Sequence, residues 1–504
     1  MVSCFFKSSS CAKPNLFGKP RAVLILPSES GNTGTRKRAM GFWSVLDSKK
    51  IGAKQELRAM QKNTSFWTSN LGFIMACVGA AVGLGNIWKF PYMTGTQGGG
   101  AFVLIYLLTI FAIAIPVAVA ELIIGRKGNS DASTSVRLIA QENNRSPAWG
   151  AIGGIGVLAA FILITFYAVI AGWVGAYVWR ALTGQISGLD AQSAGSMFAD
   201  LLASPGEMIF HQVVFLTLIG LVLVRKLSAG LERANLILMP ALVILLGLIA
   251  IYGAVAGDIV AAAHYLFTPD FSKITPEVIQ SAVGHGFFSV GVGSAILITY
   301  GGYLNKSIHI GKAAIIIGLA DTAIALLAGL GIFSIVFGQS LDPAAGTGLM
   351  FTTLPLAFAQ VTGGGFLALM FFALVYVAAL TSGLALGEVV IRWAEGRFGW
   401  NRSRASYIVL IATFLIGLMT VFSFNIWQDV QIAGRTLFDT KDYFVTAYLM
   451  PLGGLSAILF ASWGIPIATL SQVFGGAGRG FTSWLWTARL LSPAGVIWVF
   501  LNGL

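Results

Sequence analysis

Two long apolar stretches of this chain are each interrupted near the middle by glycines. The first, NLGFIMACVGAAVGLGNIWKFPY, breaks between Gly79 and Asn86, and the second, IQSAVGHGFFSVGVGSAILITYGGYL, breaks at Gly291, Val292 and Gly293. A helix in hydrocarbon finds no water for freed N–H and C=O groups, so unwound backbone persists there only beside a cavity, a ligand or an ion. Glycine permits the unwinding and lets bare carbonyls approach whatever is bound. Two such breaks in corresponding halves of a membrane chain point to a binding site near the bilayer midplane.

The membrane setting follows from composition. The 504 residues are 56% hydrophobic and only 10% charged, with a mean hydropathy of +0.80, which suits a bundle of spanning helices and not a soluble surface. Apolar runs of about 20 residues predict helices near 68–90, 98–125, 148–182, 208–224, 231–254, 277–303, 311–338, 366–396, 404–424, 441–464 and 484–503. The predicted fold is therefore an all-α polytopic membrane protein of 11 transmembrane helices. Both broken segments open a block of five, giving an inverted repeat (about 68–254 and 277–464) with an extra helix at about 484–503, all within a transporter domain at 66–503. The stretch GTGLMFTTLPLAF near 346–358 is expected to form a short outer hairpin over the entrance.

Charge sets the orientation. Up to Phe66 there are twelve Lys and Arg against three acids, Glu29, Asp47 and Glu56, which accounts for most of the formal net charge of +12. Because the next residues enter the membrane, the positive-inside rule explains this excess better than nucleic-acid binding does, and it puts the N-terminus in the cytoplasm. Eleven spans then leave the C-terminus outside, in a multi-pass protein of the cell (inner) membrane. The loops agree: Arg126, Lys127, Arg225, Lys226, Lys306, Lys312, Arg402, Arg404 and Arg479 fall on the predicted inner side, and Asp190, Asp258, Asp270, Glu277 and Asp342 on the outer. Residues 1–65, rich in Ser, Gly and Lys, are expected to be a disordered extension; Met40 and Met60 are alternative starts, and FGKPRAVLILP is too short and proline-bounded for a signal peptide. Three cysteines (Cys4, Cys11, Cys77) form no CxxC, and the four histidines form no HExxH, so neither a disulfide framework nor a zinc hydrolase is indicated.

The segments GAAVGLGNIWKFPY, GGGAF ending at Phe102, FFSVGVGSAILITYGGY and AALTSGLAL resemble the neurotransmitter:sodium symporter family, in its bacterial sodium-coupled amino-acid branch with the leucine-transporter-like fold. The resemblance covers roughly residues 65 to 503, with the motifs in family order and spacing. Paired broken helices are themselves a mark of that family, so the breaks and the resemblance are one line of reasoning. What it implies is a sodium-coupled secondary symporter of amino acids working by alternating access, not an enzyme.

Residue chemistry and resemblance combine at the site. A carboxylate substrate needs backbone N–H groups at a helix N-terminus, where the dipole is positive. Leu84 and Gly85 supply such groups, and Tyr167 matches the family tyrosine that binds the substrate carboxylate; alone, Tyr167 also fits an interfacial aromatic. By resemblance, carbonyls of Ala81, Phe288 and Ser289 receive the amino group. Sodium takes hard oxygens, and two sodium sites are implied. The second is formed by Gly79, Val82, Ala378, Thr381 and Ser382, although a Thr-Ser pair by itself also suits hydroxyls bonded to their own helix. The first comprises Ala81, Asn86, Ser289 and Asp321 with the substrate carboxylate. Asp321 lies within an apolar span, where an ion is costly unless paired; its alternatives are a protonated or a snorkelling side chain. Tyr106 and Ser289 stand at family chloride positions, whereas His285 and Ala325 stand where other chloride ligands would be. A fixed carboxylate at Asp321 would replace that anion, giving chloride-independent transport, with proton exchange on Asp321 as an extension. His285 fits either a pair with Asp321 or a core histidine bonded to a carbonyl.

By resemblance, Lys89 and Asp442 form the outer gate over Tyr167 and Phe288, and Trp67 plugs the inner path. Two unrelated interfacial charges are the alternative reading of the pair. The family arginine before the tryptophan is replaced by Thr64 and its aspartate partner by Gly396, with Lys62 and Glu395 as substitutes. Leu163, Phe288, Ser294 and Leu386 are expected to wall the side-chain space. Small residues at Gly291 and Ser294 predict a roomier cavity than one built for leucine, and hence a large apolar or aromatic L-amino acid such as tryptophan, tyrosine or phenylalanine. The expected partners are that amino acid, sodium and the bilayer, without nucleic acid. An amino-acid sensor or channel on the same fold is the alternative, although the spans show no ring of polar residues.

Overall fold

A computed structural model describes residues 67–503 apart from 306, 307, 345 and 347; the basic extension expected over 1–65, and Lys62 within it, lie outside the described residues. The described residues fall in one compact unit, Asn63–Leu504. Among the described residues nine helices are long and apolar enough to cross a membrane, and a tenth crossing is the pair Asn70–Ala81 and Gly85–Thr96, bent by 44°. The second broken segment, Pro276–Val290 followed by Ile296–Gly301, makes the eleventh. In chain order the spans are span 1 (Asn70–Ala81 with Gly85–Thr96), span 2 (Gly100–Gly128), span 3 (Pro147–Leu182), span 4 (Pro205–Leu223) and span 5 (Ser228–Ala256). Then come span 6 (Pro276–Val290 with Ile296–Gly301), span 7 (Ile310–Gly338), span 8 (Gly364–Phe398), span 9 (Arg402–Phe422), span 10 (Leu437–Gly464) and span 11 (Arg479–Leu501). Spans 1–5 and 6–10 are the two repeats, each opening on a broken span.

Burial separates the inner helices from the lipid-facing ones. The central window of span 3 is 72% buried, that of span 5 only 28%. Spans 3 and 8 make the most extensive helix–helix contact, and span 1 packs against spans 5, 6, 7 and 8. Spans 4, 5, 9 and 11 turn Phe210, Ile244, Ile251, Leu415 and Leu490 outward, an apolar exterior that only a bilayer covers comfortably. The stretch expected as an outer hairpin is a short helix over Leu349–Ala359. Its Phe351 carbonyl accepts a hydrogen bond from the Tyr177 hydroxyl at 2.6 Å, and its ring packs against Trp88 and Trp173.

Both breaks form where the glycines put them. Span 1 leaves helical geometry at Val82 (φ −75°, ψ 100°) and resumes at Gly85. In span 6, Gly291 and Gly293 take φ of +73° and +82°. Gly293 is doubly constrained: its φ suits glycine, and a Cβ there would overlap the carbonyl oxygen of Met450 on span 10. The freed backbone is satisfied as hydrocarbon demands. Gly83 N–H donates to Asn86 Oδ1 at 3.2 Å, Leu84 N–H to the Tyr167 hydroxyl at 3.4 Å, and Gly293 N–H to Glu121 Oε1 at 2.7 Å.

Candidate functional site

The two breaks face one another across a cavity of about 30 Å³. Of the residues expected to bind substrate, Ala81, Leu84, Gly85, Leu163, Tyr167, Phe288, Gly291, Ser294, Ser382 and Leu386 all line it; Ser289 faces away. Gly83 and Ile296 also line it, and neither was singled out from sequence. Gly83 is needed for its bareness: a Cβ there would run into the Ser382 hydroxyl and lie 3.0 Å from the Tyr167 hydroxyl. Spans 3 and 8 thus bring their hydroxyls directly onto the unwound backbone of span 1.

The roomier side-chain space expected from Gly291 and Ser294 does not form in this conformation. Ile296 Cδ1 comes within 3.4 Å of where a Gly291 Cβ would sit, and the Ser294 hydroxyl turns back onto the Gly291 carbonyl. The Phe288 ring lies against Gly85 on the other side. A cavity of about 30 Å³ holds a water or two, so an amino-acid side chain enters only as Phe288 and Ile296 move.

Oxygens converge beside the cavity. The Ser382 hydroxyl sits 3.3 Å from the Gly79 carbonyl, 3.2 Å from that of Ala80 and 3.4 Å from that of Val82. On the preceding residue, the Thr381 hydroxyl donates to the Ala378 carbonyl at 2.9 Å, and Thr381 Cβ packs against Gly79. The alternative for this pair, hydroxyls bonded only to their own helix, holds for Thr381 but not for Ser382, which reaches across to span 1. Carbonyls and neutral hydroxyls without a fixed charge suit a monovalent hard cation.

A second cluster surrounds Asp321, which is completely buried on span 7 and so does not snorkel. Its Oδ1 accepts from Asn86 Nδ2 at 2.7 Å, and its Oδ2 accepts from Ser289 Oγ at 2.8 Å and the Tyr106 hydroxyl at 3.3 Å. Asn86, Ser289 and Asp321 are therefore brought together as expected, with Tyr106 as a fourth member. The Asn86 amide turns its nitrogen toward the carboxylate, and its oxygen holds Gly83 N–H. A cation in this cluster gains the Asn86 oxygen only if the amide turns over, which frees Gly83 N–H. His285 meets neither expectation. Its ring stacks among Phe90, Phe102 and Tyr106, 5.2 Å from Tyr106 centroid to centroid, and neither nitrogen has a hydrogen-bond partner.

Both ends of the pathway are closed. Lys89 Nζ lies 3.3 Å from each Asp442 oxygen and 4.5 Å above the Phe288 ring, so the two charges are a pair and not separate interfacial residues. At the other end Trp67 is 1% exposed. Its indole N–H donates to the Tyr300 carbonyl at 3.2 Å, and its carbonyl accepts from Asn305 at 3.0 Å. Glu395, expected to stand in as an acidic partner near Trp67, is instead shared by Arg392 and Arg402. Arg402 also grips the buried Glu388 through both Nη atoms. Near the absent aspartate at Gly396, it is Asp131 that approaches.

Three polar partners escaped the sequence reading: Glu121 on the span 6 break, Glu388 under Tyr303, and Glu232. The Glu232 carboxylate takes the N–H and hydroxyl of Thr68 and of Ser69 at 2.7–3.3 Å, capping the start of span 1 from span 5. A lone acid inside an apolar run, the signal that marked Asp321, was available for Glu121 in PVAVAELIIG.

Two facing broken helices, hydroxyl-lined and closed at both ends, define a membrane transporter coupled to a small cation. The chain belongs to the sodium:neurotransmitter symporter family, which it matches over residues 64–192 and 191–463. It is 36% identical over 440 residues to the uncharacterized sodium-dependent transporter YhdH of Bacillus subtilis, covering 86% of this chain and 97% of that one. A similar uncharacterized sodium-dependent transporter of Haemophilus influenzae is 34% identical over 410 residues, 80% of this chain and 90% of its own length. Among solved structures, that of MhsT in complex with L-phenylalanine superimposes with a TM-score of 0.82 at 36% identity, covering 87% of this chain and all of that one.

Proposed function

We propose that this chain is a sodium-coupled symporter of large apolar or aromatic L-amino acids, driven by two sodium ions and independent of chloride. The observation that carries the reading is the Ser382 hydroxyl lying among the carbonyls of Gly79, Ala80 and Val82 while the Tyr167 hydroxyl meets Leu84 N–H. One break thus offers hard oxygens to a cation on one side and an N–H and phenol to a carboxylate on the other. In this reading Leu84, Gly85 and Tyr167 hold the substrate carboxylate; Ala81, Phe288 and Ser289 take the amino group; and Leu163, Gly291, Ser294, Ser382 and Leu386 shape the remaining space. Gly79, Val82, Ala378, Thr381 and Ser382 hold one sodium. Ala81, Asn86, Ser289 and Asp321 hold the other, with the Asp321 charge in place of a chloride and open to proton exchange on return. Lys89 and Asp442 gate the outside, and Trp67 the cytoplasm, with the N-terminus inside and the C-terminus outside.

The aromatic preference draws on the L-phenylalanine bound to MhsT, a relative at 36% identity. Reconstitution in liposomes tests the whole. Labelled phenylalanine or tryptophan is expected to accumulate under an inward sodium gradient, equally well in chloride and in gluconate. Uptake that merely equilibrates would move the protein to the channel class. Binding without uptake would make it a sensor, and loss of uptake in gluconate would remove Asp321 from its charge-balancing role.

A further inference from the structure

A cleft of about 740 Å³ lies away from the transport site, between spans 2, 7 and 11, within the size range of small-molecule cavities. Its walls are apolar: Phe111, Ile115 and Val119 of span 2, Ile315 of span 7, and Phe481 and Trp484 of span 11. Phe111 and Ile315 are 53% and 48% exposed, so the cleft opens sideways to the bilayer. Trp484 ties its floor together by donating to the Pro116 carbonyl at 3.0 Å.

One end of the cleft differs from the rest. There the rim is formed by His309, Lys312 and the glycine-rich turn through Gly475, Gly476, Ala477, Gly478 and Gly480, with Arg479 between the last two but outside the lining. Lys312 and Arg479 are both exposed, and among the described residues no carboxylate pairs with either. The turn is held in place from behind. Arg126 donates to the carbonyl of Val473 at 3.1 Å and to those of Asn305 and Ile308, and His309 packs edge-on to Phe474 at 5.4 Å. One unpaired cation, Lys312, thus lines the mouth of an apolar slot open to lipid, and a second, Arg479, is exposed on the turn that forms its rim.

We propose that this cleft binds one anionic phospholipid, with an acyl chain against Phe111, Ile115 and Trp484, the phosphate at Lys312, and Arg479 on the adjoining turn closing over the headgroup. Cationic rims on apolar clefts between membrane helices select anionic headgroups, each Lys or Arg contributing about 1 kcal/mol. A zwitterionic lipid would satisfy the walls, but its choline offsets its phosphate and leaves the net positive charge of the rim uncompensated.

Native mass spectrometry of the full chain in detergent, titrated with phosphatidylglycerol or with phosphatidylcholine of the same acyl chains, tests this. The expected result is one retained phosphatidylglycerol, weakened about fivefold by each of Lys312→Ala and Arg479→Ala, the ratio that about 1 kcal/mol corresponds to. Lys312→Arg should retain it, and Ser483→Trp, which fills the cleft from span 11, should abolish it with both cations intact. Equal retention of the two lipids, or retention unchanged in the double alanine variant, overturns the proposal. The readout needs no transport, so its failure is distinct from failure of the symport reading.

Discussion

Replacing Asp321 by Asn asks how much of the ion coupling rests on one buried charge. The substitution keeps the shape and an oxygen for Asn86, so the bundle is expected to fold. What disappears is a negative charge that Asn86, Ser289 and Tyr106 hold at 2.7, 2.8 and 3.3 Å. A unit charge about 4 Å from a sodium ion contributes about 4 kcal/mol at an effective dielectric constant of about 20. Since 1.4 kcal/mol is tenfold, that corresponds to about a thousandfold in affinity at this site. Carbonyl dipoles turning toward the ion recover part of it, so the sodium concentration for half-maximal uptake in proteoliposomes is expected to rise at least tenfold. Chloride supplies the second readout. Tyr106 and Ser289 remain, 3.3 Å apart, as hydroxyls able to hold an anion, so Asp321→Asn is expected to take up phenylalanine better in chloride than in gluconate. An unchanged sodium dependence, or one shifted without any response to chloride, would refute the charge-balance reasoning.

Other perturbations separate the remaining parts. Ser382→Ala removes a hydroxyl facing buried carbonyls, a loss of about 1–3 kcal/mol; half-saturation by sodium should rise about 5- to 100-fold, with no chloride response. Asp442→Asn weakens an ion pair whose members are 10% and 30% exposed, worth about 1 kcal/mol, so dissociation of bound amino acid, followed by filter binding, should quicken about fivefold. Gly293→Ala forces a side chain to a φ of +82° and into the Met450 carbonyl. Its cost exceeds the 1–2 kcal/mol of left-handed geometry alone, and a lowered thermal midpoint in detergent reads it.

The spans and their breaks were legible because hydrocarbon imposes a one-dimensional rule: apolar length and glycine position can be read without knowing any neighbour. Tyr167, Ser382, Asp321 and Asn86 were legible for a related reason, as polar groups at mid-span with family-matched spacing, and they do meet around the breaks. The shape of the cavity was not. The absence of a side chain at Gly291 says nothing about who fills the space, and Ile296, five residues on, fills it. The surroundings of Trp67 were likewise not legible. The expected pairing looked for a cation near Lys62 and an acid near Gly396. The bundle delivers Glu232 from span 5, Tyr300 from span 6 and Asn305 from the loop after it, contacts that exist only once the repeats are packed together. Glu388 and Arg402 lie on consecutive spans joined by a short turn, yet their pairing exists only once spans 8 and 9 are packed together.

Glu232 also makes the two doors unequal. Beside the Tyr300 and Asn305 contacts of Trp67, Glu232 holds the adjoining Thr68 and Ser69 through four hydrogen bonds, whereas at the opposite end, among the described residues, Lys89 rests on Asp442 and the Phe288 ring alone. The inner closure is in this sense bolted across two spans, and the outer one only latched.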